Sequence, residues 1–362
     1  MEFLAQYGLF LAQAVTIVVA VLVVVSGVIA LGQRQRPGRD GHIEIRHLNE
    51  RYRHLGDAVR EAVVDKALLK AELKREKKAE KKAAKARGKA ASKLTKRGAG
   101  EAGAKASEVT ESKPRLFCLN FDGDIRASAT DQLREEISTV LSQVRECDAV
   151  LLRLESPGGM VHGYGLAASQ LQRIRAAGIE LTVSVDKVAA SGGYMMACVA
   201  NRIIAAPFAV IGSIGVVAQL PNFHRLLKKH DIDFEQLTAG EYKRTLTLFG
   251  ENTDQDREKF QRDLEITHQL FKEFVREQRP ALDVDKVATG EVWFGRKALD
   301  EGLVDELSTS DDFIQQHLAD RDIYEVRFVQ RKPWQEKLGI AAESAVDRGL
   351  LRWLQRNQGP RY

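Results

Sequence analysis

The 362-residue chain carries 55 Lys and Arg against 50 Asp and Glu, a net charge of +5, and 44% hydrophobic residues, a fraction ordinary for a globular protein. That length accommodates one large domain with appendages, and the apolar content excludes a chain disordered throughout. Cys118, Cys147 and Cys198 lie far apart with no CxxC or other ligand spacing, so neither a disulfide framework nor a zinc site is indicated.

Residues 3–33 contain no Asp, Glu, Lys or Arg, and "LFLAQAVTIVVAVLVVVSGVIAL" (9–31) is apolar nearly throughout. A helix rising about 1.5 Å per residue covers about 34 Å over this stretch, enough to cross the roughly 30 Å hydrocarbon core of a bilayer. A cleavable signal peptide has a basic start, a shorter apolar core and a small-residue cleavage site. Here the start carries Glu2 and no Lys or Arg, so residues 1–33 are expected to form an uncleaved anchor with a single transmembrane helix. Arg34, Arg36, Arg39, Arg46, Arg51 and Arg53 follow the span. The positive-inside rule therefore puts the body of the protein in the cytoplasm.

Residues 34–113 form a basic region. Its stretch 43–87 is rich in strong helix formers and is expected to be helical. "KREKKAEKKAAKARGKAASKLTKRGAG" (74–100) is nearly all Lys, Arg, Ala and Gly. Such a run serves either as a nucleic-acid arm or as a solvated linker beside anionic lipid headgroups. The span upstream and the lack of stacking aromatics favour the linker, and no nucleic-acid partner is expected. "GAGEAGAKASEVTESKP" (98–114) reads as a flexible hinge.

From 114 to 330 the pattern is that of an α/β domain. "RLFCLNF" and "AVLLRLE" (149–155) are apolar runs of strand length, separated by "DQLREEISTVLSQVRE" (131–146), whose apolar residues recur at helical spacing. "GLAASQLQRIRAAG" (165–178) reads as a second amphipathic helix closed by Gly178. Residues 181–186, 202–206 and 214–219 read as further strands. A long helix over 254–278, opened by "TDQD", turns Phe260, Leu264, Phe271, Phe274 and Val275 inward. Alternating strands and helices predict a largely parallel sheet with helices packed on it. In the tail, 331–362, residues 334–356 fit an amphipathic helix suited either to a membrane surface or to a sister subunit.

Two glycine-rich turns carry chemistry. "LTVSVDKVAASGGYMMACVA" reads as strand, tight turn and a helix beginning at or near Ser191, flanked by small residues that let another group approach closely. A helix N-terminus presents unpaired N–H groups and a partial positive charge. A serine there can expose its hydroxyl while the next N–H faces an oxyanion, as in a nucleophile elbow, although GxSxG is absent. A serine N-cap before glycines is equally an ordinary structural feature. In "RLESPGGMVHGYG" (153–165), Gly158 and Gly159 allow close backbone approach and can donate a second oxyanion N–H, or serve only as a tight connection.

A serine nucleophile needs a base. His162, His224, His230 and His268 are available, none in a triad context. Lys243, in "TAGEYKRTLTLFG" (238–250), is the stronger candidate, although taken alone it reads as one more surface lysine of a very basic protein. A lysine acts as a base only when desolvation brings its pKa from about 10.4 towards about 7–8.

In order along the chain, "ESPGGMVHGYGLAASQL", "VDKVAASGGYMMACVA", "APFAVIGSIGVVAQLPNF", "TAGEYKRTLTLFGENT" and "ATGEVWFGRKALDEGLVDEL" resemble the S49 (protease IV, signal peptide peptidase A) family of serine peptidases. The single catalytic region behind an anchor and a lysine-rich linker is closest to its SohB branch. The resemblance implies a Ser–Lys dyad, with Ser191 as nucleophile, Lys243 as general base and Ser213 helping to hold the lysine. Gly192 and one glycine of "SPGG", Gly159 by preference over Gly158, match the oxyanion hole. It further implies a ClpP/crotonase-like fold of repeated ββα units, a homo-oligomer, and a place in the bacterial inner membrane, where some relatives work on the periplasmic side. Peptide or unfolded-protein substrates follow, with no metal or cofactor required. The rival readings are acyl-CoA chemistry on a crotonase-type fold and a non-catalytic membrane scaffold.

Overall fold

The computed structural model describes residues 41–65, 113–240 and 242–330, together with Thr16 and Lys78. The expected anchor, most of the basic linker and the tail after Gln330 lie outside the described residues. Among the described residues no helix is long and apolar enough to cross a membrane. Contacts divide the chain into residues 1–42 with 329–362, and Ile43–Phe328; nearly all described residues belong to the second unit.

That unit is a mixed α/β fold. Its main sheet has seven strands in the order β1 (Gly41–His47), β10 (Asp322–Gln330), β2 (Arg115–Asp122), β3 (Ala149–Glu155), β4 (Glu180–Val185), β6 (Arg202–Ala205) and β9 (Glu306–Leu307). From β10 to β9 every pairing is parallel. Parallel strands need both faces covered, and the period-2 alternation does this. Phe117, Leu119 and Phe121 of β2, with Val150, Leu152 and Leu154 of β3, enter one core. Leu116, Cys118, Ala149 and Leu151 enter a second. The first core is closed by Leu133, Ile137 and Val140 of α2 (Thr130–Leu141), Leu171 and Ile174 of α3 (Val161–Ala176), and Phe271 and Val275 of α6 (Asp254–Gln278). The second takes Leu48 of α1 (Leu48–Val63) with Phe313 and Ile314 of α9 (Ser310–His317).

A second, three-stranded sheet runs β5 (Val188–Ala190), β7 (Val210–Gly212), β8 (Val292–Phe294). β5 and β7 are parallel, and β8 is antiparallel to β7. It joins the chain leaving β3 through a bridge between Ser156 and Ala189. The short helix α4 (Gly192–Ala197) follows β5 directly.

The capping signal "TDQD" is realised: the Thr253 side chain accepts from the Asp256 N–H, and the Asp256 carboxylate accepts from the Thr253 N–H. Gly178 closes α3 with φ +75°, a conformation that suits glycine. Two expectations need correction. The helix expected from residue 43 starts at Leu48; Gly41–His47 is strand β1, because Ile43 and Ile45 alternate with polar residues and have β10 to pair with. The strand expected at 214–219 is absent, and the pairing segment is β7, Val210–Gly212. Positive φ at Gly212 and Ser213 turns the chain out of the sheet there.

Candidate active site

Ser191 stands between β5 and α4. Its backbone has φ 52° and ψ −117°, a region that L-residues rarely occupy and that costs roughly 1–3 kcal/mol. The position is the N-cap of α4, yet the side chain makes no capping hydrogen bond, and among the described residues its hydroxyl has no polar partner. The Ser191 carbonyl accepts the Met195 N–H at 3.0 Å, as an N-cap carbonyl does, but the strained hydroxyl caps nothing. Its own N–H donates to Gly212 O at 2.8 Å, which ties the turn to β7.

Ser213 is the next residue after that carbonyl. It too has positive φ, 51°, and its N–H donates to Glu291 O at 2.6 Å. Ser191 and Ser213 each follow the last pair of the β5–β7 register, Ala190 with Gly212, and the Ser191–Gly212 bond keeps the two backbones close.

The "SPGG" turn packs on the other side. Ser156 N–H donates to Val188 O at 2.8 Å and Ala190 N–H to Ser156 O at 3.0 Å, so the turn is stitched along β5. Gly158 has φ +90°, and a Cβ there would lie 2.7 Å from Ala190 O, 2.8 Å from Ser191 Cβ and 2.9 Å from Gly192 N. No larger residue fits against the serine. Gly158 N–H is occupied, donating to Ser156 Oγ at 3.1 Å. Gly159 N–H has no acceptor among the described residues, and Gly192 N–H, at the first position of α4, has no carbonyl within its own helix to reach.

Behind the turn lies a buried hydroxyl pair that the sequence reading passed over. Ser156 Oγ and Tyr164 Oη are 2.6 Å apart, and Tyr164 Oη donates to Asp124 O at 2.8 Å. Both side chains are fully buried. Burial pushes the Tyr164 phenol above its ordinary range, against the opposing hydrogen bond to Ser156. The available signal was a lone tyrosine among the small residues of "VHGYGLAA".

The expected residues are therefore brought together except for the base. Lys243 is exposed in the segment between α5 (His224–Lys229) and α6. Its N–H donates to Gly240 O at 3.2 Å, and no hydrogen bond or ion pair joins its ammonium to Ser191 or Ser213. None of the four histidines hydrogen-bonds to Ser191 either; His268 Nε2 meets Ile214 O at 3.2 Å.

Against known proteins, the family description "Peptidase family S49 N-terminal" matches residues 2–171 and "Peptidase family S49" matches residues 173–323. The chain belongs to peptidase family S49. It is 49% identical to the probable protease SohB of Haemophilus influenzae over 345 residues, 95% of this chain and 94% of that protein. It is 63% identical over 206 residues to the probable protease SohB of Buchnera aphidicola subsp. Schlechtendalia chinensis, spanning 57% of this chain and 68% of the other. Those likenesses place it in the SohB branch of S49. Among solved structures, a lysine variant of the 1510-N membrane-bound stomatin-specific protease with a substrate peptide aligns with TM-score 0.38 and 14% identity, over 63% of this chain and 96% of that one.

Proposed function

We propose that this S49 peptidase is a membrane-anchored serine endopeptidase with Ser191 as nucleophile and Lys243 as general base. The observation that carries the reading is the strained, uncapped Ser191 hydroxyl packed against the "SPGG" turn, in which Gly158 leaves no room for a Cβ. Gly159 N–H and Gly192 N–H, without acceptors among the described residues, are the donors proposed for the oxyanion. A hydroxyl without a capping bond is available to attack a carbonyl, and two N–H groups without acceptors can hold the resulting oxyanion where they converge on it. Gly159 is preferred to Gly158 as donor because the Gly158 N–H is already spent on Ser156.

In the reaction, neutral Lys243 takes the Ser191 proton, Oγ attacks the scissile carbonyl, and the lysine returns the proton to the leaving amine. Water then attacks the acyl-enzyme by the same route. The role of Lys243 rests on the family resemblance. Its exposed setting supplies none of the desolvation that a neutral lysine requires, so the segment that carries it must be covered before catalysis. Phe249 of that segment stacks on Phe223, just before α5, and lies tilted against Phe234; all three stay exposed, which supports assembly into a homo-oligomer whose subunits cover them. Ser213, whose backbone is kept close to that of Ser191, is assigned to holding the incoming ammonium.

A ClpP/crotonase-like fold of repeated ββα units, an anchor at residues 9–31 in a bacterial inner membrane, and peptidase substrates drawn from hydrophobic, membrane-derived or unfolded chains complete the proposal. Acyl-CoA chemistry would use the oxyanion donors but leaves the strain at Ser191 without purpose. The test is hydrolysis of casein and of a hydrophobic fluorogenic peptide by the detergent-solubilised full chain across pH 6–10. Ser191→Ala and Lys243→Ala are expected to abolish cleavage, while the wild type gains activity as one basic group deprotonates. Equal cleavage by wild type and Ser191→Ala overturns the reading.

A further inference from the structure

Tyr164, fully buried, touches both the "SPGG" turn, through Ser156, and Gly192. Its single proton goes to Asp124 O, so the 2.6 Å contact with Ser156 is made by the Ser156 hydroxyl donating to Tyr164 Oη. That leaves a Ser156 Oγ lone pair directed at the Gly158 N–H, 3.1 Å away. The chain of bonds therefore runs from Asp124 O through Tyr164 and Ser156 to the residue just before Gly159. On its other side the Tyr164 ring lies against Gly192, where a Cβ would meet Tyr164 Cγ at 2.4 Å. Glycines make room for this pair elsewhere too: a Cβ at Gly123 would be 2.5 Å from both Ser156 Oγ and Tyr164 Oη, and one at Gly193 would be 2.6 Å from Ser156 O.

Filling a core needs no hydroxyl here, since a phenylalanine has the same ring. A buried hydroxyl instead demands partners, and this one has two: the Asp124 carbonyl and the Ser156 hydroxyl, which in turn accepts the Gly158 N–H of the "SPGG" turn. The geometry points to Tyr164 as a positioning residue: through its hydroxyl it fixes the "SPGG" turn, and through its ring it fixes Gly192, so that Gly159 N–H and Gly192 N–H converge on one oxyanion. This inference rests on the reading of Ser191 as the nucleophile.

The test uses the full chain in detergent with Tyr164→Phe, Ser156→Ala and the double variant. Outright loss of an oxyanion donor costs about 10²–10³ in kcat; a donor left in place but mis-aimed is expected to cost about tenfold. Each single variant should lose about tenfold in kcat with KM unchanged. Affinity for a peptide boronate, which forms a tetrahedral adduct on the serine, should weaken by the same factor. The double variant should lose no more than either single one, because the two hydroxyls act as one unit. Circular dichroism identifies which variants fold, and either single variant suffices. Wild-type kcat and boronate affinity in a folded variant, or a rise in KM alone, overturns the positioning role while the Ser191 reading stands. Cleavage that survives Ser191→Ala removes that reading and this inference with it.

Discussion

Ser191 donates its N–H to the carbonyl just before Ser213, at 2.8 Å; the two serines follow the last paired residues of β5 and β7, and both hold positive φ, 52° and 51°. Each strand thus leaves its sheet through a turn that L-residues disfavour, and each leaves a hydroxyl without a polar partner among the described residues. The backbone is pinned on both sides, by Ser191 N–H on Gly212 O and Ser213 N–H on Glu291 O. Strain of this kind persists only where surrounding structure enforces it, and two such serines together set this turn pair apart from an ordinary connection.

The strain at Ser191 is measurable apart from activity. Ser191→Gly and Ser191→Ala both remove the hydroxyl, but only glycine is at ease at φ 52° and ψ −117°. Relief of roughly 1–3 kcal/mol of strain outweighs the roughly 0.4–1 kcal/mol that glycine adds to unfolded-state entropy. The glycine variant is therefore expected to melt about 2–4 °C above the alanine variant. Equal melting temperatures would mean that the turn relaxes without its serine.

Gly158→Ala probes the opposite wall. Its Cβ would meet Ala190 O and Ser191 Cβ at 2.7 and 2.8 Å, on a backbone at φ +90°. Neither neighbour is the far end of a flexible side chain, so the turn itself has to move. Activity is expected to fall at least a hundredfold, as for a lost oxyanion donor, with a lowered melting temperature. Gly165→Ala, whose Cβ meets nothing within 4 Å, is expected to leave both nearly unchanged.

Much of this was legible in the sequence because the signals are local. The apolar runs of β2 and β3, the box at Thr253 and the glycine after α3 each state their structure within a few residues. The two glycine turns around Ser191 were legible for the same reason. What escaped depends on distant partners. Strand β1 is specified by β10, far along the chain, and strand β8 is three residues that only β7 makes a strand. Tyr164 escaped similarly: its role comes from Ser156, Asp124 and Gly192, on three other segments. Lys243 shows the reverse case, since motif resemblance singled it out while its surroundings in the single chain supply no catalytic partner.

Asp148 anchors the edge where β2 and β3 begin. Its carboxylate accepts from the Arg115 N–H at 2.8 Å and from the Arg115 and Arg145 guanidiniums at 2.5 and 3.0 Å. Burial alone would raise its pKa, but the Arg115 and Arg145 bonds outweigh it and hold the carboxyl well below the usual range. A depressed carboxyl contributes stability that is present above its unfolded pKa, near 3.8, and lost as pH falls below that value. Asp148→Asn is expected to cost about 3 kcal/mol at pH 7 by leaving two guanidiniums without their counter-charge. In acid titrations followed by circular dichroism, the gap between variant and wild type should narrow below pH 4; a gap that does not change with pH would assign the loss to packing instead.

Glu136 works with the opposite sign. Its side chain is buried on α2; Oε1 accepts the Phe328 N–H at 2.8 Å, while Oε2 has no partner among the described residues. Burial pushes the carboxyl up to about 7, with help from Glu325 and against the pull of the Phe328 N–H and Arg327. Below pH 4.5, the ordinary value, folded and unfolded chains both hold the proton and nothing is lost. Between 4.5 and 7 the unfolded chain releases its proton while the folded one keeps it, so stability falls as pH rises, by about 3 kcal/mol in all. Glu136→Gln keeps the acceptor for Phe328 and removes the charge. It is expected to match wild type at pH 4 and to melt several degrees higher at pH 8, whereas Glu136→Ala, which strands the Phe328 N–H, should be less stable than Gln at both. Parallel pH profiles for Gln and wild type would show that the buried carboxyl is solvated in the native protein and that its unpartnered oxygen has found water.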